Sequence, residues 1–247
     1  MTEKKDSGVE EYQRTVSRRD FLKVSGTIVL VLGSGCYLQG NSNSKNLKTP
    51  LKSLAGIPPS DGYLLVDTKK CQGCASCMLA CSLVHEGVES QSLSRIQIMQ
   101  NSFEVFPADV RMSQCRQCVD PACVKACPAD ALTANPKFGN VRMVDFEKCI
   151  GCGECVAACP FSPSRAQLAA VKSYGGDDKA FKCDLCSATP YHWDAAGGGP
   201  DGKQACVAVC PVGAIKFARE IPIQDGDAGY NVNLRGPAWG RLEYPTG

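Results

Sequence analysis

Aromatic side chains and histidine are scarce in this chain of 247 residues: Phe, Tyr and Trp make up 7%, and the two histidines are His85 and His192. So few histidines exclude multi-His metal sites, and so few aromatics leave bulky rings little part in a core. Charge is nearly balanced, with 27 basic against 25 acidic residues and a net charge of +2, so nothing points to nucleic acid as a partner. The one G-x-G-x-x-G match, Gly197 to Gly202, lies in a Gly- and Pro-rich insertion rather than between a strand and a helix. No G-x-x-x-x-G-K-S/T motif occurs, so a nucleotide site has no support. No C-x-x-C pair is followed by His, which excludes covalent c-type haem. The apolar run from Val24 to about Gly35 falls short of the roughly 20 residues that a membrane span needs. A mature chain without a transmembrane anchor is the expectation.

What the chain has instead is cysteine, seventeen residues of it. The stretch Cys149–Pro160 reads C-x2-C-x2-C-x3-C-P, the spacing with which two-cluster bacterial ferredoxins hold [4Fe–4S] cubanes. Three thiolates two residues apart can surround three corners of one cubane, while the fourth is carried on to a neighbouring cluster. Gly151 and Gly153 suit a loop that bends tightly around a bulky anion with φ > 0.

The first residues read as an address. Ser17-Arg18-Arg19-Asp20-Phe21-Leu22-Lys23 matches the twin-arginine export pattern S-R-R-x-F-L-K, and residues 1–36 form the signal region. Such export carries folded proteins, so a cofactor can be inserted before crossing, and a periplasmic location is expected. Cys36 has two open fates. It can be lipidated, although Leu32 stands one place too far back for a good lipobox, or it can be removed with the leader by a small-x-small cleavage at Gly33 and Gly35. Residues 37–61 are polar and read as a linker, after which Gly62-Tyr63-Leu64-Leu65-Val66 has the composition of a strand.

An internal repeat organises the rest. Val66-Asp67-Thr68-Lys69-Lys70-Cys71 aligns with Val144-Asp145-Phe146-Glu147-Lys148-Cys149 at an offset of 78 residues, and both continue without a gap through C-x2-C-x2-C-x3-C. This gives Cys71, Cys74, Cys77 and Cys81 beside Cys149, Cys152, Cys155 and Cys159, each run leading into a short helix. Cys115, Cys118, Cys123 and Cys127 form a third group. Cys183, Cys186, Cys206 and Cys210 form the fourth, its halves separated by 19 residues that read as a surface loop. Pro128, Pro160 and Pro211 follow the last cysteine of three groups, and Ser82 replaces Pro in the first.

Two alternatives compete with iron–sulfur. Export into an oxidising compartment would permit disulfides, but C-x-x-C bridges close tiny loops and contribute little entropy. Four structural zinc sites would usually place two C-x-x-C pairs well apart, unlike C-x2-C-x2-C with a distant C-P. The spacing favours the cubane. Arg116, Lys125, Lys148 and Lys182 lie near the candidate ligands, where a cation can raise a cluster's potential, but are expected as solvated surface cations. His85 and His192 are expected at the surface or at helix ends, and Tyr191 and Trp193 as loop packing. Beyond Lys216, residues 219–247 read as an extended tail. Tyr230, Trp239 and Tyr244, taken as exposed, favour an arm laid on a partner.

Residues 62–218 resemble the four-cluster ferredoxin-type electron-transfer subunits of the complex iron–sulfur molybdoenzymes. The stretch Ala80-Cys81-Ser82-Leu83-Val84-His85-Glu86-Gly87, with Ser94-Arg95-Ile96, is more similar to the branch serving carbon monoxide dehydrogenases, hydrogenases and tungsten aldehyde oxidoreductases. The resemblance implies ligand exchange between groups: Cys71, Cys74 and Cys77 with Cys210; Cys183, Cys186 and Cys206 with Cys81; Cys115, Cys118 and Cys123 with Cys159; Cys149, Cys152 and Cys155 with Cys127. It also implies an α+β fold of two nested ferredoxin-like dicluster modules, with long loops and little regular secondary structure. The outer module covers 62–110 plus 183–218 and the inner one 111–182. Some relatives replace one ligand with Trp, but all sixteen positions here are Cys, so four [4Fe–4S] clusters are expected.

The expected function is relay of single electrons between a catalytic subunit and a second redox partner, with no catalytic residue in this chain. The implied partners are a molybdenum or tungsten pterin enzyme and either a membrane quinone-reactive subunit or a soluble carrier. Membrane association would then come through a partner or a lipidated Cys36. The rival reading is an exported zinc-binding structural protein with four-cysteine sites.

Overall fold

The computed structural model describes residues 56–170 and 176–241. The twin-arginine region, the apolar run, Cys36, most of the linker and Tyr244 lie outside the described residues. Regular structure is short throughout. Four antiparallel two-stranded sheets and a few helices of one to three turns are joined by long loops.

β1 (Tyr63–Val66) pairs with β8 (Ile215–Ala218) from the far end of the folded part, in the register Tyr63↔Ala218 to Val66↔Ile215. Between them lie three hairpins: β2 (Ile96–Gln100) with β3 (Val110–Gln114), β4 (Leu132–Asn135) with β5 (Val141–Val144), and β6 (Ala166–Ala170) with β7 (Asp178–Lys182). β3 crosses the expected module boundary at 110–111, because its ladder with β2 holds it to the first group. Buried side chains gather in two main cores and a smaller cluster of Ala80, Val84, Cys186 and Ala205. One contains Leu64, Val66, Met78, Ile96, Met112 and Ile215, and the other Val124, Ala131, Leu132, Ala166 and Ala180; cysteines belong to both.

The repeat is visible in the backbone of all four C-x-x-C turns. The residue just before the second cysteine has positive φ each time: Gly73 at 70°, Gln117 at 49°, Gly151 at 66° and Leu185 at 57°. A Cβ on Gly151 would also lie 2.3 Å from the Asp178 carbonyl, so that position tolerates nothing larger. After each turn a helix opens at or near the third cysteine: α1 (Ser76–Glu86) at Cys77, α2 (Ala122–Lys125) at Cys123, α3 (Glu154–Ala157) at Cys155 and α4 (Ala205–Ala208) at Cys206.

Three of these helices stop after one turn, at the fourth cysteine and its proline, because proline disfavours the helical conformation of the residue before it. Ser82 lifts that block in α1, which runs on to Gly87 and ends there in a left-handed cap whose N–H donates to Leu83 O. α1 thus carries Cys77, Cys81 and His85 at four-residue spacing on one face.

The tail differs from expectation. Tyr230 is 1% exposed, and its hydroxyl donates to Arg116 O at 2.7 Å. Val66 N donates to Tyr230 O and Val232 N to Val66 O, so this stretch adds a bridge beside β1. Two free backbone groups on the β1 edge, and a polar niche for one phenol, pull this part of the tail onto its own fold. A last single-turn helix, α5 (Pro237–Gly240), follows. No helix among the described residues is long and apolar enough to cross a membrane.

Candidate functional site

The sixteen described cysteines converge on four cavities, each bringing three from one group to at least one from another. Cys71, Cys74 and Cys77 meet Cys210 around about 290 Å³. Cys183, Cys186 and Cys206 meet Cys81 around about 280 Å³. Cys115, Cys118 and Cys123 meet Cys159 around about 390 Å³. Cys149, Cys152 and Cys155 meet Cys127 around about 340 Å³. A larger cavity of about 750 Å³, lined by Arg111, Arg116 and Arg165 among others, contains no cysteine.

All sixteen are free thiols. A zinc site would draw its sulfurs to about 2.3 Å from one centre. Among the described residues, no group of three or more His, Cys, Asp or Glu side chains is placed to hold a single ion. The donor set fits a compact polynuclear iron–sulfur group: thiols from two groups gather around one space each time, with backbone N–H groups aimed at sulfur. The donors are Ala214 N to Cys210 at 3.2 Å, Arg95 N to Cys81 at 3.3 Å, Ala205 N to Cys186 at 3.4 Å, Gln117 N to Cys115 at 3.4 Å, Arg165 N to Cys159 at 3.3 Å and Ala180 N to Cys149 at 3.4 Å. Burial pushes the thiols of Cys77 and Cys118 up to about 12 and Cys155 up to about 11. Thiolates this costly to expose in an apolar wall are stabilised when metal replaces the proton.

The cavities follow one another in a row. Cys155 stands in the walls of both the Cys149 and the Cys115 cavities. Burial, then the charges of Asp184 and Cys115, push the Cys183 thiol up, so the Cys115 and Cys183 sites are neighbours. Burial and the thiols Cys186, Cys183, Cys81 and Cys77 do the same to Cys206, which links the Cys183 and Cys71 sites. At the two ends of the row, Cys152 and Cys74 are exposed.

The charged residues around these cavities are not where sequence reasoning expected them. Lys125 and Lys148 are exposed and paired with Asp120 and Asp145. Arg116 and Lys182, however, are 2% and 4% exposed, so the expectation of solvated cations fails for both. Each sits beside a cysteine on a strand or turn that faces the core, which leaves its stem nowhere to snorkel. His85 is at a helix end but is buried rather than superficial. Its Nδ1 faces Cys81 O at 2.7 Å and its Nε2 faces Asp184 Oδ1 at 2.9 Å. Both neighbours are acceptors, which calls for the imidazolium. Burial opposes that charge, but the Asp184 carboxylate outweighs it and the pKa is raised to about 9. Arg95 Nη1 donates to Asp184 Oδ2 at 2.7 Å and Nη2 to Glu86 Oε1 at 3.4 Å, so two cations meet two carboxylates around the Cys183 site.

The 19-residue insertion is more than a surface loop. Gly199 and Pro200 are buried, Gly199 N donates to Leu185 O at 2.7 Å, and Gly198 lies so close to Cys186 that a Cβ would fall 2.3 Å from it. Tyr191 and Trp193 are about half exposed, and His192 binds the Lys203 carbonyl, so these three pack the loop. Arg142, Arg165, Asp184 and Asp227 escaped the sequence reading; Asp184 alone adjoins a ligand cysteine.

Comparison with known proteins adds two family matches, each described as a 4Fe-4S dicluster domain, to residues 114–162 and 142–211. The chain is 41% identical over 128 residues to the polyferredoxin-like subunit of aliphatic sulfonate oxidoreductase from Pyrococcus furiosus, covering 52% of this chain and 67% of that protein. It is 36% identical over 161 residues to the thiosulfate reductase electron transfer subunit PhsB of Salmonella typhi, covering 63% and 74%. It is 35% identical over 173 residues to the formate dehydrogenase-O iron-sulfur subunit of Escherichia coli, covering 62% of this chain and about half, 51%, of that one.

Proposed function

This chain belongs to the ferredoxin-type iron–sulfur subunits that serve oxidoreductases as electron-transfer rather than catalytic components, and on that premise we propose that it carries four [4Fe–4S] clusters in a row. The observation that carries the number is the gathering of sixteen thiols into four cavities, three from one group and one from another. Bound there, each cluster supplies reversible one-electron transfer with potentials anywhere from about −700 to +450 mV, tuned by its surroundings.

The residues of the chain do the rest. Left-handed turns at Gly73, Gln117, Gly151 and Leu185 fold three thiols around each cavity. Backbone N–H groups hold the sulfurs in orientation, and apolar walls such as Leu132 with Ala180, or Ile98 with Ile215, exclude water. The pairing of β1 with β8 around the intervening hairpins supports the reading of two nested dicluster modules. Electrons enter and leave at the ends of the row, where Cys74 and Cys152 reach the surface. At the Cys152 end, Ile150 is 67% exposed and Leu168 39%, an apolar rim suited to a protein partner.

The catalytic partner we infer is an oxidoreductase subunit, as the names of the relatives from formate dehydrogenase and thiosulfate reductase support. The resemblance of the sixteen-cysteine pattern to subunits of the complex iron–sulfur molybdoenzymes favours a molybdenum or tungsten pterin enzyme. The second partner is a membrane quinone-reactive subunit or a soluble carrier. Ser17-Arg18-Arg19 with Phe21 and Leu22 supports export of the loaded protein to the periplasm. Anaerobic purification with iron and acid-labile sulfide quantified, then EPR of the dithionite-reduced protein, tests the reading. About sixteen of each per chain with interacting signals is expected. A colourless protein with about four zinc, or with disulfides and no metal, overturns it.

A further inference from the structure

The cavities differ far more in charge than in ligands. Arg116, Arg142, Arg165 and Lys182 all line the Cys115 cavity and are 2%, 1%, 9% and 4% exposed. Arg116 and Arg165 share one carboxylate, Asp227, at 3.0 Å from Arg116 Nε and 3.1 Å from Arg165 Nη2. That carboxylate is itself half exposed. Arg142 has no acid among its bonds: Nη1 donates to Asn140 O at 2.6 Å and Nη2 to Cys118 O at 2.8 Å. Lys182 Nζ donates to Arg142 O at 2.8 Å. Arg116 Nη1, Arg142 Nε and Arg165 Nε are buried with no hydrogen-bond partner.

Four buried cations against one half-screened carboxylate would be strongly destabilising in a closed core, because each unpaired buried ion costs several kcal/mol. The missing counter-charge is therefore supplied from inside the cavity. Four thiolates around a cubane would carry two net negative charges when it is oxidised and three when it is reduced, and the three N–H groups would be left to donate to it. At the other cavities the charge is either balanced or absent. Around the Cys183 site His85 and Arg95 are matched by Asp184 and Glu86. No charged residue lines the Cys149 or the Cys71 cavity, and Lys179 reaches the Cys149 carbonyl from a half-buried position. Backbone N–H groups reach sulfur at all four sites, at Cys115 and Cys159, at Cys81 and Cys186, at Cys149 and at Cys210, so hydrogen bonding does not single out the Cys115 site. Charge does.

Building on the four-cluster reading, we propose that the Cys115–Cys118–Cys123–Cys159 site holds the highest-potential cluster of the chain, set there by Arg116, Arg142, Arg165 and Lys182. Its reduction takes one electron from a neighbouring reduced cluster, which is oxidised by one electron in turn; no bond or proton moves. Each cation favours the more negative state, so this site fills first and the second position in the row is where an electron rests.

The test is an EPR-monitored redox titration of the full chain, purified anaerobically, as wild type, Arg116→Gln, Arg165→Gln and Asp227→Asn, with iron and sulfide counted for each. With iron retained, either Arg variant lowers the equilibrium constant of the first reduction step by about tenfold, 59 mV for one electron, and leaves the later steps in place. Asp227→Asn shifts the same step the other way, which general loosening of the fold would not do. Clusters present with the first step unmoved, or with a later step moving instead, overturn this assignment while leaving the relay intact. Absence of iron from the wild type overturns the relay itself. Should one Arg variant lose iron, the opposite-sign Asp227→Asn shift still decides.

Discussion

The Cys149 and Cys115 cavities share a wall at Cys155, each gather three thiols of one group with one of another's, and yet are built oppositely. One is lined by small and apolar side chains and opens at Cys152, Ile150 and Leu168. The other is enclosed by four buried cations, with Phe161 lying 5.4 Å from the Arg165 guanidinium and 6.0 Å from that of Arg116. Ligand geometry is repeated while the surrounding charge is not. The repeat supplies the holder, and residues between the repeats individualise each site.

That comparison can be broken most directly at the shared wall. Cys155→Ser should remove about four iron per chain and one EPR species while the cation-lined site persists. If both inner sites vanish together, they are one assembly unit and the contrast is secondary. A smaller effect is expected from the tail that buttresses Arg116. Tyr230→Ala empties a buried niche and removes a ring 4.7 Å from the Arg116 guanidinium, so stability should fall by about 3–4 kcal/mol, read as a lower melting temperature of the loaded protein. Gly198→Ala, against Cys186 in the charge-balanced site, should cost about 1–3 kcal/mol through overpacking and lower iron retention at that site alone. At the open end, Ile150→Gln should leave stability within about 0.5 kcal/mol and iron unchanged, and slow electron exchange with the catalytic partner in stopped-flow mixing. Equal slowing from a change at the enclosed cavity would argue against entry at the Cys152 end.

Much of the holder was legible in advance. The short helices after the cysteine runs were expected, and the proline after Cys127, Cys159 and Cys210, replaced by Ser82 after Cys81, is the physical difference between the three one-turn helices and the longer one. Gly151 and Gly153, expected to need positive φ, both have it, whereas Gln117 and Leu185 adopt the left-handed turn with no glycine to signal it, because their neighbours hold them there. Gln117 Nε2 donates to Cys183 O and its Oε1 accepts from Arg142 N, bonds from one side chain to two distant segments. Tyr230 looked like an exposed aromatic because nothing in a Gly-rich stretch reveals that its phenol will find the Arg116 carbonyl.

The amino-acid sequence by itself determined the thiol groups, their turns and short helices, since these depend on spacing and on backbone preferences within a dozen residues. Which cations surround which cavity was decided by tertiary structure. Arg142 reaches the Cys115 site from the β4–β5 hairpin, Lys182 from the end of β7, and Asp227 from the tail. Coulombic effects act through space at separations that sequence distance does not encode, so the property that sets one site apart from three similar ones emerged when the loops closed.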